Sequence, residues 1–373
     1  MTFNEQPQAI AGCNSPLMYQ FYDALYTSTE FYYQCDVYVW SGTTTLPGSP
    51  NWTINRKPDQ YGSGRGWIDI HKLVQQEVTK DFLDNPTYKP NIGNGAKRVV
   101  VKVRGAYYVG TTLTFTSYAT SNTILVSAGY TYAAQGFNVG YPTKYVFTDK
   151  TQINLTTATP SAYLWYDANT ITSITCGSAT VTPNAVGGDS SKEIQGIEIK
   201  QLMTAGGVWG TNANITFVKA GDDVVINVNF ACENKYGQQD VLFLNKYGVY
   251  DSFLFNGVFR KNYNVTKEKY EQPIYKQTDL AQAWTYGVPI TTSYLVNSVE
   301  TMTVNTDWIS ENDVDIVEQM FYSTNILVLD GTEVLSAKIS DSAFDRKTRV
   351  NEKLILYTIQ LEYNQPKINK IVR

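Results

Sequence analysis

The residues that could carry out catalysis are few, and they follow no recognisable catalytic pattern. His71 is the single histidine of the 373-residue chain, so any Ser/His/Asp triad would have to use it. No nucleophile-elbow sequence lies near His71, which the local pattern places at the start of a helix. One histidine also cannot supply the sets of two or three that catalytic zinc sites commonly use. We therefore expect a structural role for His71.

Carboxylates could still form a glycosidase site, because that chemistry needs only two acids at a suitable separation. Asp222 and Asp223 follow a glycine, which indicates a turn. Asp313 and Asp315 lie where acidic residues favour the start of a helix. No pair stands out, so we expect that the chain is not an enzyme, and a glycan-degrading enzyme stays an alternative. The acids considered are Asp222, Asp223, Asp313, Asp315 and Glu362.

Two further patterns could indicate a cofactor or a metal. The segment Tyr61–Gly66 (YGSGRG) has GxGxG spacing, but a phosphate-binding loop needs a strand before it and a helix directly behind it. A proline-rich loop precedes this segment, and GK[ST] is missing. The cysteines Cys13, Cys35, Cys176 and Cys232 are far apart, without CxxC or Cys/His spacing, which argues against zinc and a dense disulfide framework. We expect reduced thiols, no cofactor and no metal.

Strands dominate the elements that must position these residues. Aromatic residues make up 13% of the chain, including 28 Tyr, and aromatic side chains suit the half-buried surface of a sheet. Alternating apolar residues predict strands at Phe31–Trp40 and Lys353–Tyr363. A turn at Asp330–Gly331 predicts a hairpin between Ile326–Leu329 and Val334–Ile339. The final strand is expected to bury one set of side chains: Ile355, Tyr357, Ile359, Leu361 and Tyr363.

Two short helices are predicted. In the first, Asp69 is placed to cap the start, and in the second, Ser310 and Asp313 approximate a capping box within Thr306–Tyr322. The segment Ile194–Met203 is instead typical of a strand. The apolar stripes of the two helices are Ile70, Leu73, Val74 and Val78 in the first, and Val314, Val317 and Phe321 in the second.

The stretch Val241–Phe255 has two apolar runs around a turn-prone centre, which predicts a buried strand–turn–strand at a change of domain. Tyr247 and Tyr250 lie in or beside the turn, and the flanking cores need neither of them. Tyr is enriched at protein interfaces because it joins a large apolar body to a polar tip. We therefore expect Tyr247 and Tyr250 to contact a neighbouring element or subunit.

The low-charge segment 105–188 holds further tyrosines that could form a surface. Tyr107, Tyr108 and Tyr163 are candidate subunit contacts. A glycan-stacking face could instead be formed by Tyr107, Tyr108, Tyr130, Tyr132 and Tyr163–Tyr166. The alternative function is then a host-surface adhesin or spike component. The pattern of the residues leaves both interpretations open.

Length and pattern together predict a mainly β protein with two or three β-sandwich-like domains and two short α-helices. The expected boundaries are 1–104 with 189–238 for an N-terminal sandwich, 105–188 for a β-rich insertion, and 239–373 for a C-terminal β domain. The first 14 or so residues are expected to be a polar arm.

Charge and hydropathy exclude several function classes. A net charge of −4 without a basic block disfavours nucleic-acid binding through a basic face. The N-terminus lacks a basic segment followed by an apolar one, so no signal peptide is expected. No run of about 18 apolar residues predicts a membrane span.

Three blocks of the sequence resemble the tail ring and hub structural proteins of crAss-like podoviruses and related Bacteroidetes phages and prophages. They are NSPLMYQFYDALYTSTEFYYQCDVYVW with the GWIDIHKLVQQEV helix, then LFLNKYGVYDSFLF, and finally TDWISENDVDIVEQMFYSTNILVLDGTEVLSAKISDSAFDRKTRVNEKLILYTIQLEY. Segment 105–188 has no counterpart in the resemblance. The blocks carry no active-site residues.

The resemblance implies a virion structural protein of a tailed phage, a subunit of a ring in the tail or portal–tail connector. Its partners would be copies of itself and other tail or portal proteins. A net charge of −4 is compatible with non-specific proximity to genomic DNA sliding through a channel.

Overall fold

The computed structural model of the chain is mainly β, with several sheets and a β-sandwich-like multi-domain arrangement, which confirms the predicted fold class. The structure describes residues 1–41, 45–59, 62–78, 96–136, 138–141, 144–157, 162–183, 194–230, 237–271, 275–278, 281–284, 290–306, 308–330, 333–340, 344–346 and 354–364.

The chain folds as two compact units, and neither unit is one continuous segment. The first comprises Met1–Glu233, Leu242–Phe253 and Tyr322–Thr324. The second comprises Asn234–Val241, Leu254–Phe321 and Asn325–Arg373. The chain therefore changes unit five times, after residues 233, 241, 253, 321 and 324.

The N-terminal part of the first unit contains two sheets. Their elements are β1 Thr2–Glu5, β2 Ile10–Gly12, β3 Met18–Tyr22, β4 Tyr32–Trp40, β5 Trp52–Arg56, β6 Arg65–Asp69, α1 His71–Glu77, β7 Ala96–Val109, β8 Thr112–Phe115, β9 Ala119–Thr120 and β10 Ile124–Ser127. One sheet has the order β1-β3-β6, and the other has β2-β10-β7-β4-β5 with β8 and β9 also paired to β7. Tyr33, Cys35 and Val37 of β4 are fully buried, as the alternation predicted.

The expectation of an N-terminal arm is wrong. β1 pairs with β3, and β2 pairs in parallel with β10. The short apolar run at Ile10 and Ala11 explains the difference, because both side chains are buried. A 3-10 turn at Ala133–Gln135 follows β10.

The rest of the first unit is built on a second core. Its elements are β11 Gln152–Leu155, β12 Tyr163–Asp167, β13 Ile171–Cys176, β14 Ala179–Val181, β15 Ile194–Glu198, α2 Ile199–Ala205, β16 Ala213–Lys219 and β17 Val224–Phe230. A five-stranded sheet has the order β11-β17-β16-β13-β14, and β12 pairs with β15. The inward side chains form one apolar cluster that includes Leu155, Ile174, Phe217 and Val228.

These pairings correct the expected boundaries of the insertion. β7 runs unbroken from Ala96 to Val109, so no sheet ends at residue 104. β16 and β17 lie beyond the expected boundary at 188, yet they complete the sheet that begins with β11. Strand partners far apart in sequence leave no mark on local composition, which was the basis of the expected division.

Helix α2 was not predicted, because an unbroken apolar run does not distinguish a buried strand from a buried helix. Ile194–Glu198 is a strand with every residue buried, and the chain then turns directly into the helix. Within it Ile199, Leu202 and Met203 are buried at helical spacing.

The remaining elements are β18 Gln239–Leu244, β19 Tyr250–Phe255, β20 Arg260–Glu271, β21 Tyr275–Thr278, β22 Ala281–Trp284, β23 Thr291–Asn305, β24 Ile309–Ser310, α3 Glu311–Tyr322, β25 Ile326–Asp330, β26 Glu333–Ile339, β27 Leu354–Ile355 and β28 Thr358–Tyr363. The main sheet has the order β19-β18-β25-β26-β28-β23-β20, and β21 pairs with β22 and β24 with β27. The predicted strand–turn–strand, hairpin and second helix are thereby confirmed. The side chain of Ser310, expected to cap α3, lies outside the described residues.

The final strand confirms the predicted alternation. Tyr357, Ile359, Leu361 and Tyr363 are at most 6% exposed. Thr358 and Gln360 between them are exposed. The strand is interrupted where Leu356 and Tyr357 separate β27 from β28.

Candidate functional site

The turn between β18 and β19, residues 245–249, is closed by its own polar groups. Asn245 receives a backbone hydrogen bond from Gly248 at 2.9 Å, and its own N–H donates to the Val249 carbonyl oxygen at 2.9 Å. The Asn245 Oδ1 atom accepts a third hydrogen bond from the Tyr247 N–H at 3.0 Å. Gly248 has a φ of +79°, in the left-handed region that glycine adopts without strain.

Tyr247 at the tip of this turn is buried among other aromatic rings. Its ring packs edge-on against Tyr141, with centroids 4.6 Å apart, and tilted against Phe147 at 6.3 Å. Its hydroxyl donates a hydrogen bond to Asp149. Burial and this bond to a carboxylate both raise the pKa of Tyr247, so the phenol stays protonated as a donor.

Asp149 is the charged centre of the same group. The Lys246 Nζ lies 2.7 Å from its Oδ2 atom, and the Lys144 Nζ lies 3.5 Å from Oδ1. Burial on its own would raise the pKa of Asp149. The hydrogen bonds from Lys246 and Tyr247, with the two lysine charges, outweigh burial and lower that pKa.

The turn also docks through its backbone onto the segment after β10. The Tyr130 N–H donates to the Lys246 carbonyl oxygen at 2.8 Å, and the Ser127 Oγ donates to that of Tyr247 at 2.6 Å. A Cβ atom on Gly248 would lie 2.3 Å from the Gly129 nitrogen, so the two chain segments meet at glycines. These contacts hold the turn in place.

Of the two contacts expected for Tyr247 and Tyr250, the structure shows the one with neighbouring elements of the chain and not one with a neighbouring subunit. Tyr247 and Tyr250 are 4% and 3% exposed, because the chain itself covers them. The Tyr250 carbonyl oxygen accepts a buried hydrogen bond of 2.8 Å from the Trp165 Nε1. Both tyrosines therefore act inside the fold.

The other candidate tyrosines lie in two places. Tyr163 is half-buried and packs against the apolar cluster that contains Tyr247. Tyr107 and Tyr108 are half-buried near the end of β7, opposite Thr114 and Leu113 of β8. A subunit contact through Tyr107 and Tyr108 stays a prediction. The rings of Tyr130 and Tyr132, considered for a glycan face, pack on each other 5.9 Å apart.

The candidate acids have structural surroundings. Asp222 and Asp223 are exposed in the turn between β16 and β17. The Arg346 guanidinium lies 2.8 Å from Asp315, and Lys338 lies 2.9 Å from Glu362. Within the described residues no three His, Cys, Asp or Glu side chains are grouped to hold a metal ion.

His71 and the glycine-rich loop are also part of the scaffold. The His71 Nδ1 lies 2.9 Å from Asp69, which also accepts the His71 backbone N–H at the start of α1. In the loop, Gly64 has a φ of +67° and leads into strand β6, where a phosphate loop would lead into a helix. Cys13, Cys35 and Cys176 are buried free thiols. Tyr61 and Cys232 lie outside the described residues.

A long two-stranded ribbon is the surface that sequence patterns missed. β20 and β23 pair antiparallel from Arg260↔Thr303 to Glu271↔Thr291, whereas β23 pairs with β28 only over Thr301–Asn305. Before Thr301, strand β20 is the single described strand partner of β23. We call residues 263–271 with 291–300 the β20–β23 ribbon, and its length is about 30 Å at 3.4 Å per residue.

The ribbon exposes aromatic and β-branched side chains. Tyr263 and Val265 share one face, and Val299 stands on the other, since it pairs opposite Asn264. Tyr294 is 57% exposed at a β-bulge, and its hydroxyl donates to Glu268 at 2.6 Å. β20 is also an edge of its sheet, so among the described strands one side of its backbone has no partner.

A second surface feature is an open cleft of about 400 Å³ on the five-stranded sheet of the first unit. We call it the amide cleft, because five of its six lining residues are Asn or Gln. These residues are Gln152, Asn212, Ala213, Asn214, Asn227 and Asn229.

Comparisons with known proteins define no family for the chain. No protein-family model matches it, and no curated protein sequence does. Among solved structures, extracellular domains 3–5 of Drosophila OTK align over 81% of this chain and 91% of that chain, with 8% identity and a TM-score of 0.20. A TM-score this low is not evidence of a shared fold. In the described part of the chain, no helix is both long and apolar enough to cross a membrane.

Proposed function

We propose that this protein is a virion structural protein of a tailed phage, a subunit of a ring in the tail or portal–tail connector around the DNA channel. The resemblance of three sequence blocks to tail proteins of crAss-like phages supports this assignment. The observation that carries it in the structure is the β20–β23 ribbon, which fits a protein that works by assembling.

A two-stranded ribbon is at best marginally stable in water by itself, because it has no layer of side chains packed on either face. In this ribbon Tyr263, Val265, Tyr270, Tyr294 and Val299 are each more than 40% exposed. Covering them in a neighbouring subunit would stabilise both the contact and the ribbon. Tyrosines suit such a contact because they supply area with little conformational entropy.

A projecting ribbon that binds a different surface of the next copy makes a heterologous contact. Repetition of such a contact closes into a ring when the rotation between copies divides a full turn. The other tail or portal proteins would then stack on the faces of this ring, and DNA would pass through it without specific contacts.

The test is the mass and shape of the purified full-length chain, measured by sedimentation velocity and electron microscopy. We expect closed rings for the wild type, and monomers when Val265→Asp and Tyr270→Asp are combined, because two buried charges would oppose the contact. Leu25→Asp is the matched control, since Leu25 is 42% exposed but lies far along the chain from the ribbon. That control should still form rings.

Position in the virion is the second measurement. Gold-labelled antibodies against the protein should mark the tail or the portal vertex of phage particles. A chain that remains monomeric at high concentration and marks no site on particles would contradict the proposal.

A further inference from the structure

The amide cleft is built from rows of side chains on three adjacent strands. Asn227 of β17 pairs opposite Gln152 of β11 on one side and Asn214 of β16 on the other. Two residues further along, Asn229 pairs opposite Asn154. Because side chains at positions i and i+2 share a face of a strand, these five amides stand on the same side of the sheet, and all but Asn154 line the cleft.

The opposite face of these strands is the core of this part of the unit. Ile153, Ile215, Ile226 and Val228 alternate with the amides and are buried. Burial of this opposite face therefore fixes the register of the strands. The positions of the amides on the sheet do not depend on hydrogen bonds between the amides.

Asparagine is an unusual choice for this face. Asn is depleted in strands, where solvent-facing positions favour Thr and other β-branched residues. Asn154, Asn214, Asn227 and Asn229 all occupy strand positions, so each lowers the local preference for a strand. Departures of this kind from local preference are expected at functional sites.

The amide groups are available for a ligand. The Gln152 Nε2 donates to the Asn154 Oδ1 at 2.8 Å, and the Asn212 Oδ1 accepts the Phe230 N–H at 2.8 Å. No hydrogen bond within the described chain engages the side-chain amides of Asn214, Asn227 or Asn229. Each amide offers two donor hydrogens and a carbonyl acceptor.

The chemistry of the lining selects the class of ligand. No described residue that lines the cleft is charged, so a charged ligand would lose hydration without gaining a counter-charge. Sugar hydroxyls both donate and accept hydrogen bonds, as amides do. The volume of about 400 Å³ is within the range of roughly 300–1,000 Å³ typical of small-ligand sites.

An aromatic pair lies on the core face of the same sheet. Phe230, whose N–H is bonded to Asn212, packs edge-on against Trp209 with centroids 4.8 Å apart. Both rings are half-buried. Phe230 alternates with Asn229 and packs with Trp209 against the apolar cluster, so the cleft itself is formed by the amides.

We propose that the amide cleft binds a neutral oligosaccharide. This binding activity goes beyond a role in ring assembly and does not depend on it. It also differs from the glycan face considered from the sequence, because it uses amides of the five-stranded sheet and neither Tyr107 nor Tyr163.

The test is a titration of the purified full-length chain with neutral gluco- and manno-oligosaccharides, followed by calorimetry and by saturation-transfer NMR. We expect millimolar or tighter binding, and a loss of about threefold to tenfold for each of Asn227→Ala and Asn214→Ala, the effect of one hydrogen bond. Asn55→Ala is the matched control, because Asn55 is an exposed strand asparagine of β5, outside both the cleft and the ribbon. It should bind as the wild type does.

Several results would overturn the proposal. They are an absence of binding by every neutral oligosaccharide at millimolar concentration, equal binding by wild type and both cleft variants, and tighter binding of acidic than of neutral glycans. A change in sedimentation of Asn227→Ala would instead assign the cleft to a contact between copies. Unfolding midpoints of the variants should match the wild type, since these side chains lie outside the core.

Discussion

Asp149 is held as an anion by neighbours from two distant parts of the sequence. Lys144 is close by in the chain, whereas Lys246 and Tyr247 arrive with the β18–β19 turn. A buried carboxylate without such partners would be costly, and with them it fixes where the turn must lie. Protonation of Asp149 would weaken these interactions, so the stability of the turn depends on pH.

We expect the stability of the protein to reflect the lowered pKa of Asp149. Since the folded pKa lies below the ordinary value of 3.8, the stabilisation is complete above that value and is lost as the pH falls through the folded pKa. Asp149→Asn removes this contribution. The free energy of unfolding, measured with urea between about pH 5 and pH 2, should then fall less steeply than in the wild type. Parallel profiles for the two proteins would contradict the assignment.

Gly248 offers a second prediction at the scale of one residue. Gly248→Ala must adopt a φ of +79° and also place its Cβ 2.3 Å from a backbone nitrogen. We expect a loss of about 3 kcal/mol or more in the free energy of unfolding, measured with urea. Gly110→Ala is the control, with a φ of +63° and open space around the Cβ. It should lose only about 1–2 kcal/mol, and equal losses would show that the close approach costs nothing.

At the scale of elements, a strand that buries one face and exposes the other could be predicted from the sequence, whereas an exposed strand could not. The final strand buries one face against a core, so its side chains alternate and its position was predicted. β20 is exposed along nearly its whole length, and the segment Gly257–Leu280 therefore has charged residues and scattered Tyr without a hydrophobic period. Local composition predicts strands in the ribbon only at Thr291–Val296 and Glu300–Val304, and in the structure these two segments belong to one strand, β23.

The candidate site was less predictable than the fold for a similar reason. Tyr247 lies in the turn-prone centre of Val241–Phe255, and turns are usually exposed. It is buried because Tyr141, Phe147 and Asp149, about 100 residues earlier in the chain, surround it. The amide cleft did carry a signal, the alternation of Asn with Ile, Leu or Val in QINL, ANIT and VINVNF.

The final strand supplies a prediction at this scale. Tyr357 is 5% exposed, its ring stacks on Phe344 at 5.2 Å, and its hydroxyl donates to the Asp345 carbonyl oxygen at 3.1 Å. Tyr357→Asp would bury an unpaired charge, so we expect no soluble folded protein on expression. Gln360→Asp, at an exposed position of the same strand, should express as the wild type does. Solubility of the Tyr357 variant equal to that of the wild type would contradict the assignment of its buried face.

At the scale of the whole molecule, the ribbon can be separated from the fold. Thr266 and Asn297 are opposite each other, so an Asn-Gly turn can join them in place of residues 267–296. This shortened chain keeps Thr301–Asn305, which pair with β28. We expect an unchanged unfolding midpoint by circular dichroism together with loss of ring assembly. A shortened chain that fails to fold, or one that still assembles, would assign the ribbon a different role.

The five changes of unit along the chain bear on how the protein is made on the ribosome. When synthesis has reached Glu233, the first unit still lacks Leu242–Phe253 and Tyr322–Thr324. Until the β18–β19 turn emerges, the Tyr130 N–H and the Ser127 hydroxyl lack the acceptors they use in the finished fold. The last piece of the unit follows Glu233 by 91 residues, which takes roughly 5–18 s at the usual rate of translation. The first unit therefore waits for most of the second to be synthesised, and the nascent chain must stay soluble during that interval.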